Sequence, residues 1–383
     1  MGFIFDKGAF AHDATSAPAE TSVMKLFSLK GRTAIVSGAA AGIGYSVVNA
    51  FAEAGANVAI WYNSNKKAEQ AAAAVAEKYG VACKAYQVNV ESEESVKAGV
   101  DQCVKDMGGR LDVFVANSGI PWTQGPMLDA GTKMYHDVMK TNTDGTYYCA
   151  KAAGEHFRRQ KKEGTTIDGK KLENFLGGSF IATASMSAHI ANVPQFQAAY
   201  NASKAAIIHM CKSLAVEWVD FARANTISPG YINTEISDFC PTEMRNLWKN
   251  LIPMGREAEP HELKGAYLYL ASDASTYTTG TDIRVDGGFI SNSPSERILG
   301  LGVTQAGSHG RVPVCMSDLR SGARDLSRRI GVTFYTLPLN FAIFVFGEID
   351  DSRSPLLLSR LLAGTSAEKI LSFSASLPSI QKF

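Results

Sequence analysis

The chain has 383 residues, of which 45% are hydrophobic and 20% charged, and its 38 basic and 37 acidic side chains leave a net charge of +1. Such a balance creates no strong field toward nucleic acid or an anionic membrane, so small-molecule chemistry is the better expectation. The six cysteines show no Cys-x-x-Cys or Cys/His spacing, which argues against a metal site and against a disulfide framework. Without a recognisable secretory signal or membrane span, we expect a cytoplasmic protein.

Short apolar, β-branched runs alternate with longer alanine-rich amphipathic stretches between residues 29 and 290. This alternation predicts an α/β fold with a Rossmann-like, doubly wound parallel sheet flanked by helices. The predicted strands are 33–37, 58–61, 84–88, 113–116, 180–184, 225–228 and 283–285. The predicted helices include 43–54, 67–79, 95–107 and 198–218.

The pattern divides the chain into three parts: an N-terminal arm at 1–28, a single α/β domain at 29–290 and a C-terminal extension at 291–383. Within the domain, residues 158–178 are rich in Lys, Gly and Thr and are predicted to form a surface insertion. The extension is rich in serine and lacks strand–helix alternation, so we predict that it is disordered or not part of the native protein.

A glycine-rich turn, Ser37-Gly38-Ala-Ala-Ala-Gly42-Ile43-Gly44, follows the first predicted strand and precedes a helix. Glycine permits a tight turn and the close approach of the backbone to a pyrophosphate, which lies at the amide-rich helix N-terminus. In this strand–turn–helix context, the spacing favours a dinucleotide site over a simple connecting turn.

The end of the second predicted strand indicates which dinucleotide binds. NAD-selective sites commonly place an acidic residue there to hold the ribose 2′-hydroxyl, whereas this chain has Tyr62, Asn63 and Ser64, followed closely by two lysines. Because no carboxylate at this position repels a 2′-phosphate, and hydroxyl, amide and ammonium donors are present, NADPH/NADP is the expected cofactor.

A tyrosine and a lysine four residues apart, Tyr200 and Lys204, lie on a predicted helix and therefore share one face. A free phenol has a pKa near 10 and is a poor acid–base catalyst at neutral pH. Because a fixed ammonium favours the phenolate, we predict that Lys204 lowers the pKa of Tyr200 and that the pair acts on a carbonyl group. Tyr62 and Lys66 have the same spacing, but Tyr62 ends a predicted strand.

The motifs occur in a characteristic order along the chain. They are Gly38-x-x-x-Gly42-x-Gly44, Asn117-Ser118-Gly119, Asn142, Ser185 or Ser187, Tyr200-x-x-x-Lys204 and Pro229-Gly230. In this order, and over residues 29–290, the chain resembles the short-chain dehydrogenase/reductase family. The runs at 184–195, 227–232 and 271–280 are similar to those of fungal NADPH-dependent ketose and carbonyl reductases, a subgroup that includes L-xylulose reductases, sorbose reductases and mannitol 2-dehydrogenases.

The resemblance implies a catalytic role for each matching residue. Tyr200 would protonate the substrate carbonyl oxygen, and Lys204 would lower its pKa and hydrogen-bond the nicotinamide ribose. Asn142 would anchor a water that relays protons to the lysine, and a serine would hold the carbonyl oxygen. Ser187 stands thirteen residues before Tyr200, the family's commonest spacing, whereas Ser185 directly follows predicted strand 180–184. We favour Ser185, with Ser187 as a loop hydroxyl, and both assignments remain open at this point.

The resemblance also implies further contacts with the cofactor. Asn89 would contact adenine, Asn117 would shape the loop beside the cofactor, and Thr234 would meet the carboxamide. The other cofactor-binding residues predicted on this basis are Val90, Pro229, Gly230 and Ile232. The family also implies a homotetramer or a homodimer, unless the C-terminal extension interferes with assembly.

Residues expected above the C-terminal ends of the strands indicate the substrate, because ligands of doubly wound sheets bind there. Polar residues predicted to contact it are Ser187, His189, Asn192 and the hydroxyl-bearing Tyr231. Aromatic residues expected in the same loops are Trp122, Tyr231, Phe239 and Trp248. This mixture suits a polyhydroxylated ketone.

The sequence therefore predicts NADPH-dependent reduction of a ketose such as L-xylulose, L-sorbose or fructose to its polyol. Reduction of non-sugar ketones is the alternative, in which the aromatic loops would matter more than His189 and Asn192. A cofactor-binding scaffold without turnover is a third hypothesis. The complete set of Asn142, a serine, Tyr200 and Lys204 argues against it, because a binding module does not need a phenol beside an ammonium.

Overall fold

A computed structural model describes residues 15–235 and 240–291. Its strands are β1 (Thr33–Val36), β2 (Asn57–Tyr62), β3 (Cys83–Gln87), β4 (Val113–Ala116), β5 (Gly178–Thr183), β6 (Ala222–Pro229) and β7 (Asp282–Val285). They form one sheet in the order β3-β2-β1-β4-β5-β6-β7, and every neighbouring pair is parallel. Each strand overlaps a predicted one, so the prediction of a doubly wound Rossmann-like sheet is confirmed.

Nine α-helices accompany the sheet in this part of the chain. They are α1 (Val23–Leu26), α2 (Gly42–Glu53), α3 (Lys67–Tyr79), α4 (Glu93–Asp106), α5 (Thr132–Val138), α6 (Gly145–Glu163), α7 (Ala198–Glu217), α8 (Thr242–Leu251) and α9 (Lys264–Ala271). A π-helical segment, Met139–Asp144, joins α5 to α6. Single 3₁₀ turns occur at Met127–Asp129, Met186–Ala188, Pro260–Leu263, Asp273–Ser275 and Phe289–Ser291.

The sheet separates two hydrophobic cores. Strand side chains alternate between faces, so Ile35 packs with α4, α6 and α7, while its neighbours Ala34 and Val36 pack with α2, α3 and α9. The central strands β1, β4 and β5 are buried along their whole length, which explains why their sequences read as continuous apolar runs rather than as an alternation.

The strand order reverses direction at β1, which pairs with β2 on one side and with β4 on the other. At such a switch point the loops that follow the two strands diverge and leave a crevice at the C-terminal edge of the sheet. The loop after β1 carries Gly38 and Gly42, and the loop after β4 carries Asn117. The fold therefore places the glycine-rich turn on one side of this crevice and the Asn117 motif on the other.

The predicted surface insertion at 158–178 begins inside a helix, because α6 continues to Glu163. Phe157 and Gln160 are fully buried on α6, while neighbouring charged residues remain at least partly exposed. The helix is amphipathic to its end, so the abundance of lysine and arginine there marks its solvent face rather than a loop. An antiparallel bridge between Thr165 and Lys171 follows the helix.

None of the helices in the described residues combines the length and apolarity that a membrane crossing needs. The same residues contain no group of three or more His, Cys, Asp or Glu side chains that could hold a metal ion. The predicted limits of the arm, the domain and the extension stay predictions. Residues 292–383 lie outside the described part of the chain.

A buried amide fastens α6 to the segment before β4. The side chain of Gln160 donates from Nε2 to the carbonyl oxygen of Leu111 at 2.7 Å and accepts at Oε1 from the Leu111 N–H at 2.6 Å. Both residues are fully buried. Gln160 therefore satisfies two main-chain groups that have no access to water.

We expect Gln160→Leu to lower the free energy of unfolding by about 2–5 kcal/mol, because each buried group that loses its partner costs about 1–3 kcal/mol. Urea denaturation of both proteins measures this difference. Gln102→Leu is the matched control, since Gln102 is exposed on α4, and it should change stability by no more than about 0.5 kcal/mol. Equal effects of the two substitutions would contradict the role assigned to Gln160.

Candidate active site

A cavity of about 350 Å³ lies at the C-terminal edge of the sheet. Loops that follow β1, β4, β5 and β6 form its walls together with α7 and α8. Fourteen predicted site residues line it: Gly38, Gly42, Ile43, Asn117, Ser185, Ser187, Asn192, Tyr200, Lys204, Pro229, Gly230, Tyr231, Ile232 and Thr234. Residues from six separate segments thus converge on one concave surface.

The glycine-rich turn after β1 is shaped by close backbone contacts. Gly38 has a φ of +61°, and a Cβ on Gly44 would lie only 2.5 Å from the Gly38 carbonyl oxygen. Any side chain at Gly44 would therefore separate α2 from the turn. Ala41, the N-cap residue of α2, has no side chain that could cap the helix. A twelve-residue helix thus begins at the cavity wall without a side-chain cap, which is the arrangement that binds phosphate groups.

Asn117 connects this turn to the neighbouring strand ends. Its Nδ2 donates to the carbonyl oxygens of Ser37 at 3.2 Å and Gly38 at 3.1 Å, and its Oδ1 accepts from Thr183 Oγ1 at 3.1 Å. The Ser37 hydroxyl in turn accepts from the N–H groups of Asn117 and Ser118, both at 3.0 Å. The loops after β1 and β4 and the end of β5 are therefore held as one unit.

Tyr200 and Lys204 lie on α7, as the sequence predicts. Lys204 is only 4% exposed, and its Nζ donates to the Thr183 carbonyl oxygen at 2.9 Å. The same Nζ lies 5.7 Å from the centroid of the Tyr200 ring. Burial disfavours the ammonium form and lowers the pKa of Lys204 to about 8.

The predicted effect of Lys204 on Tyr200 is corrected by the structure. The pKa of Tyr200 is raised, because burial disfavours the phenolate, and a hydrogen bond with Ser185 opposes this shift only in part. Desolvation therefore has a larger effect than the hydrogen bond with Ser185. At neutral pH the phenol is protonated and can donate its proton.

The two candidate serines differ in their partners. Ser185 follows β5 directly, hydrogen-bonds Tyr200, and accepts at its Oγ from the Ser187 N–H at 3.1 Å. The Ser187 hydroxyl instead accepts from Gln197 Nε2 at 2.9 Å. Both serines are buried and line the cavity. The contact with Tyr200 favours Ser185 as the serine that works with the phenol.

Asn142 lies in the π-helical segment and is fully buried. Its Oδ1 accepts from the Ile120 N–H at 2.8 Å, and its Nδ2 donates to the Ile120 carbonyl oxygen and to Ser203 Oγ, both at 3.1 Å. Gly119 adjoins both Asn142 and Lys204, because a Cβ there would lie 3.2 Å from Asn142 Oδ1 and 3.4 Å from Lys204 Nζ. Asn142 therefore braces the loop after β4 against α7.

The predicted cofactor residues that do not line the cavity occupy the same edge of the sheet. Tyr62 ends β2, whose Trp61 carbonyl accepts from Ala39 in the glycine-rich turn at 3.0 Å, and Asn63 and Ser64 follow it. The Tyr62 hydroxyl lies 3.3 Å from Glu69 on α3. Two others, Asn89 and Val90, follow β3. These residues extend the candidate site from the cavity toward β3.

His189 was predicted to contact the substrate. It is not among the residues that line the cavity, and its Nε2 lies 2.9 Å from Asp282 Oδ2 at the start of β7. The ring of Trp122, which was expected in the same loops, is buried against Val138 and Ala199. Phe239 lies outside the described residues. His189 thus tethers the turn that follows Ser185 to β7, and its role as a substrate contact stays a prediction.

Gln197 is a cavity residue that the sequence analysis missed. Its Nε2 donates to Ser187 Oγ, to Asn192 Oδ1 at 3.0 Å and to Asn201 Oδ1 at 3.1 Å. Its only sequence signal is its position at the start of α7, three residues before Tyr200. That position is ordinary for a glutamine, so the loop geometry was needed to find it.

A family model described as enoyl-(acyl carrier protein) reductase matches residues 38–290. The L-xylulose reductase of Hypocrea jecorina is 66% identical over 282 residues, which are 74% of this chain and 98% of that protein. The chain belongs to the short-chain dehydrogenase/reductase family. The resemblance stated from its motifs is thereby confirmed.

A second relative and a solved structure are also similar to this chain. A probable NADP-dependent mannitol dehydrogenase of Yarrowia lipolytica is 52% identical over 269 residues, 70% of this chain and 91% of that protein. Among solved structures, the NADPH-dependent 3-quinuclidinone reductase from Rhodotorula rubra has a TM-score of 0.66 and 39% identity, and the match covers 74% of this chain and all of that chain.

The depressed pKa of Lys204 should make stability depend on pH. Because this pKa is about 8 in the folded protein and near 10.5 ordinarily, the unfolded chain holds more protons between these values, and the free energy of unfolding rises with pH across the window. Lys204→Met removes this contribution. The free energy of unfolding of wild type minus that of the variant should therefore increase by about 3 kcal/mol from pH 8 to pH 10.5.

Urea denaturation at several pH values measures this difference. Lys212→Met is the control, because Lys212 is exposed on the same helix and its substitution removes a lysine without opening a buried site. A wild-type-minus-Lys204→Met difference that stays constant with pH would show that burial of Lys204 imposes no such cost.

Proposed function

We propose that the protein is an NADP-dependent oxidoreductase that reduces a ketose to its polyol. The observation that carries this proposal is the convergence of Ser185, Tyr200 and Lys204 with the glycine-rich turn on one cavity. The 66% identity to an L-xylulose reductase supports the choice of a ketose as substrate. The name of the matched family model describes a different reaction, and the close relatives favour the sugar chemistry.

The residues around the cavity fit a dinucleotide. The uncapped start of α2 would hold the pyrophosphate, Asn117 would support the adjoining loop, and Lys204 would hydrogen-bond the nicotinamide ribose. NADPH, when bound, supplies a hydride to the carbonyl carbon. Selectivity for NADP over NAD is supported by the absence of a carboxylate in Tyr62, Asn63 and Ser64 at the end of β2 and by the NADP-dependent relative.

Tyr200 would donate the proton that the carbonyl oxygen gains during reduction. Its raised pKa keeps the phenol protonated at neutral pH, which suits a proton donor. Ser185 would hydrogen-bond the same oxygen and so stabilise the charge that develops there. Lys204, with a pKa of about 8, exchanges protons near neutral pH and would restore the tyrosine proton with the help of a water held by Asn142.

The substrates that we propose are L-xylulose, L-sorbose and fructose. Non-sugar ketones are a second candidate, supported by the stacked rings of Tyr231 and Trp248 in the cavity wall, 4.1 Å apart at 12°, and by the likeness to a quinuclidinone reductase. A cytoplasmic location and a homotetrameric or homodimeric assembly stay predictions from the sequence.

NADPH oxidation by the full-length protein tests the proposal, with NADH in parallel. We expect turnover with at least one of the three sugars and a preference for NADPH. Tyr200→Phe should lower kcat at least about 100-fold, since it removes the proton donor, while NADPH still binds in a fluorescence titration. Tyr277→Phe is the control, because Tyr277 is fully exposed, and it should leave kcat unchanged.

Each other outcome has a distinct meaning. Turnover of an aromatic ketone alone, with no sugar reduced, would favour the non-sugar candidate. Tight NADPH binding without reduction of any ketone would support the cofactor-binding scaffold. Full activity of Tyr200→Phe would remove Tyr200 from the proposed mechanism.

Alanine substitutions should separate the two serines. Ser185→Ala is expected to lower kcat about 100-fold or more, because it removes a hydrogen bond to the carbonyl oxygen. Ser187→Ala should cost less than about tenfold, because this hydroxyl contacts Gln197 instead. Steady-state kinetics with the best sugar measures both, and a larger loss for Ser187→Ala would reverse the assignment.

A further inference from the structure

Two buried hydrogen-bond donors in the cavity wall lack acceptors. Asn192, in the loop after β5, is 4% exposed, and Trp248, on α8, is 2% exposed. Both line the cavity, and among the described residues neither Asn192 Nδ2 nor Trp248 Nε1 has a hydrogen-bond partner. An unsatisfied buried donor costs about 1–3 kcal/mol, so two of them beside one cavity need an explanation.

The orientation of Asn192 follows from its neighbour. Gln197 Nε2 can only donate, and it lies 3.0 Å from Asn192 Oδ1. The amide of Asn192 must therefore present its oxygen to Gln197, which leaves Nδ2 as the group without a partner. Gln197 is itself buried and also donates to Ser187 and Asn201, so the glutamine fixes the asparagine from the side away from its free donor.

Trp248 is oriented by aromatic packing. Its ring stacks on Tyr231, and Tyr231 meets Phe289 edge-on at 5.4 Å and 85°. Stacking fixes the plane of the indole, so Nε1 donates within that plane. The donor is therefore held in place without using its hydrogen-bonding capacity.

The charge of the cavity wall limits which ligand groups these two donors can bind. Lys204 and Glu235 are the charged residues among the described ones that line it, and Lys204 Nζ already donates to Thr183. Apart from the start of α2, which is proposed to hold the cofactor pyrophosphate, such a wall offers little to a carboxylate or a phosphate on the substrate, which arginine or several cations would recognise. Two neutral donors instead suit neutral oxygen acceptors, such as the hydroxyl groups of a sugar.

We propose that Asn192 and Trp248 are specificity-determining residues, which donate hydrogen bonds to the hydroxyl oxygens of the ketose beyond its carbonyl group. This inference rests on the proposed function and adds the residues that recognise the hydroxyl groups of its substrate. A ketone without those hydroxyls leaves both donors buried and unpaired, and sites built to bind a hydroxyl discriminate against analogues that lack it. Gln197 acts as a positioning residue for Asn192.

The test compares two substrates that differ only in their distal hydroxyls. L-xylulose and 1-hydroxy-2-pentanone share a five-carbon chain, the carbonyl position and the first hydroxyl. Trp248→Phe removes Nε1 but keeps a ring that can stack on Tyr231, and Asn192→Leu replaces the amide by an apolar group of similar size. Each variant should lower kcat/KM for L-xylulose about tenfold, mainly through KM, and change that for 1-hydroxy-2-pentanone less than about twofold.

Trp61→Phe is the control, because Trp61 is fully buried in the core beside Phe114 and does not line the cavity. It removes an indole without touching the candidate donors, and should leave the ratio of kcat/KM for the two substrates unchanged. A fall of the same size for both substrates in Trp248→Phe and Asn192→Leu would assign them a structural role and overturn the inference.

The two proposals fail in different ways. If the wild type reduces L-xylulose and both variants keep its preference for the sugar, the specificity inference is wrong and the proposed function stands. If the wild type reduces 1-hydroxy-2-pentanone but no sugar, the proposed function itself is wrong. Because the two substitutions lie on separate segments, the poor folding of one variant leaves the other to decide.

Discussion

The arrangement of the site depends on Thr183, the last residue of β5. Its carbonyl oxygen accepts from Lys204 Nζ, while its hydroxyl donates to Asn117 and lies 2.7 Å from the hydroxyl of the fully buried Tyr267. The helix that carries the phenol and the loop that supports the glycine-rich turn are thus fixed at the same strand end. A displacement of this strand end would move Tyr200 and the glycine-rich turn together.

Burial acts on the two titrating groups of the site in opposite directions but toward the same charge state. It raises the pKa of Tyr200 and lowers that of Lys204 to about 8, so both shifts favour the neutral form. Because the ordinary pKa values are 10.0 for tyrosine and 10.5 for lysine, these opposite shifts move the two proton affinities apart and make the ammonium of Lys204 a stronger acid than the phenol of Tyr200. A proton lost by the phenol can therefore be replaced from the ammonium more favourably than the ordinary pKa values in water imply.

The sequence predicts the sheet and much of the site because these features are local. Buried strands read as apolar runs, and a glycine-rich turn or a helical Tyr-x-x-x-Lys is visible within a few residues. Features that depend on distant contacts are not visible in this way. His189 contacts Asp282, 93 residues away, and the burial that governs the pKa of Tyr200 arises only once the chain has folded. Asn192 and Trp248 were both named from the sequence, but their unpaired donors are recognised only when two widely separated segments meet at the cavity.

The π-helical segment at Met139–Asp144 places two helices out of phase with each other. An α-helix turns about 100° per residue, and the wider π turn accommodates one more residue than an α turn, so α5 and α6 keep separate hydrophobic faces. Asn142 lies within this segment and braces the loop after β4 beside Lys204, so the irregular turn between the two helices is what brings this side chain to the candidate site.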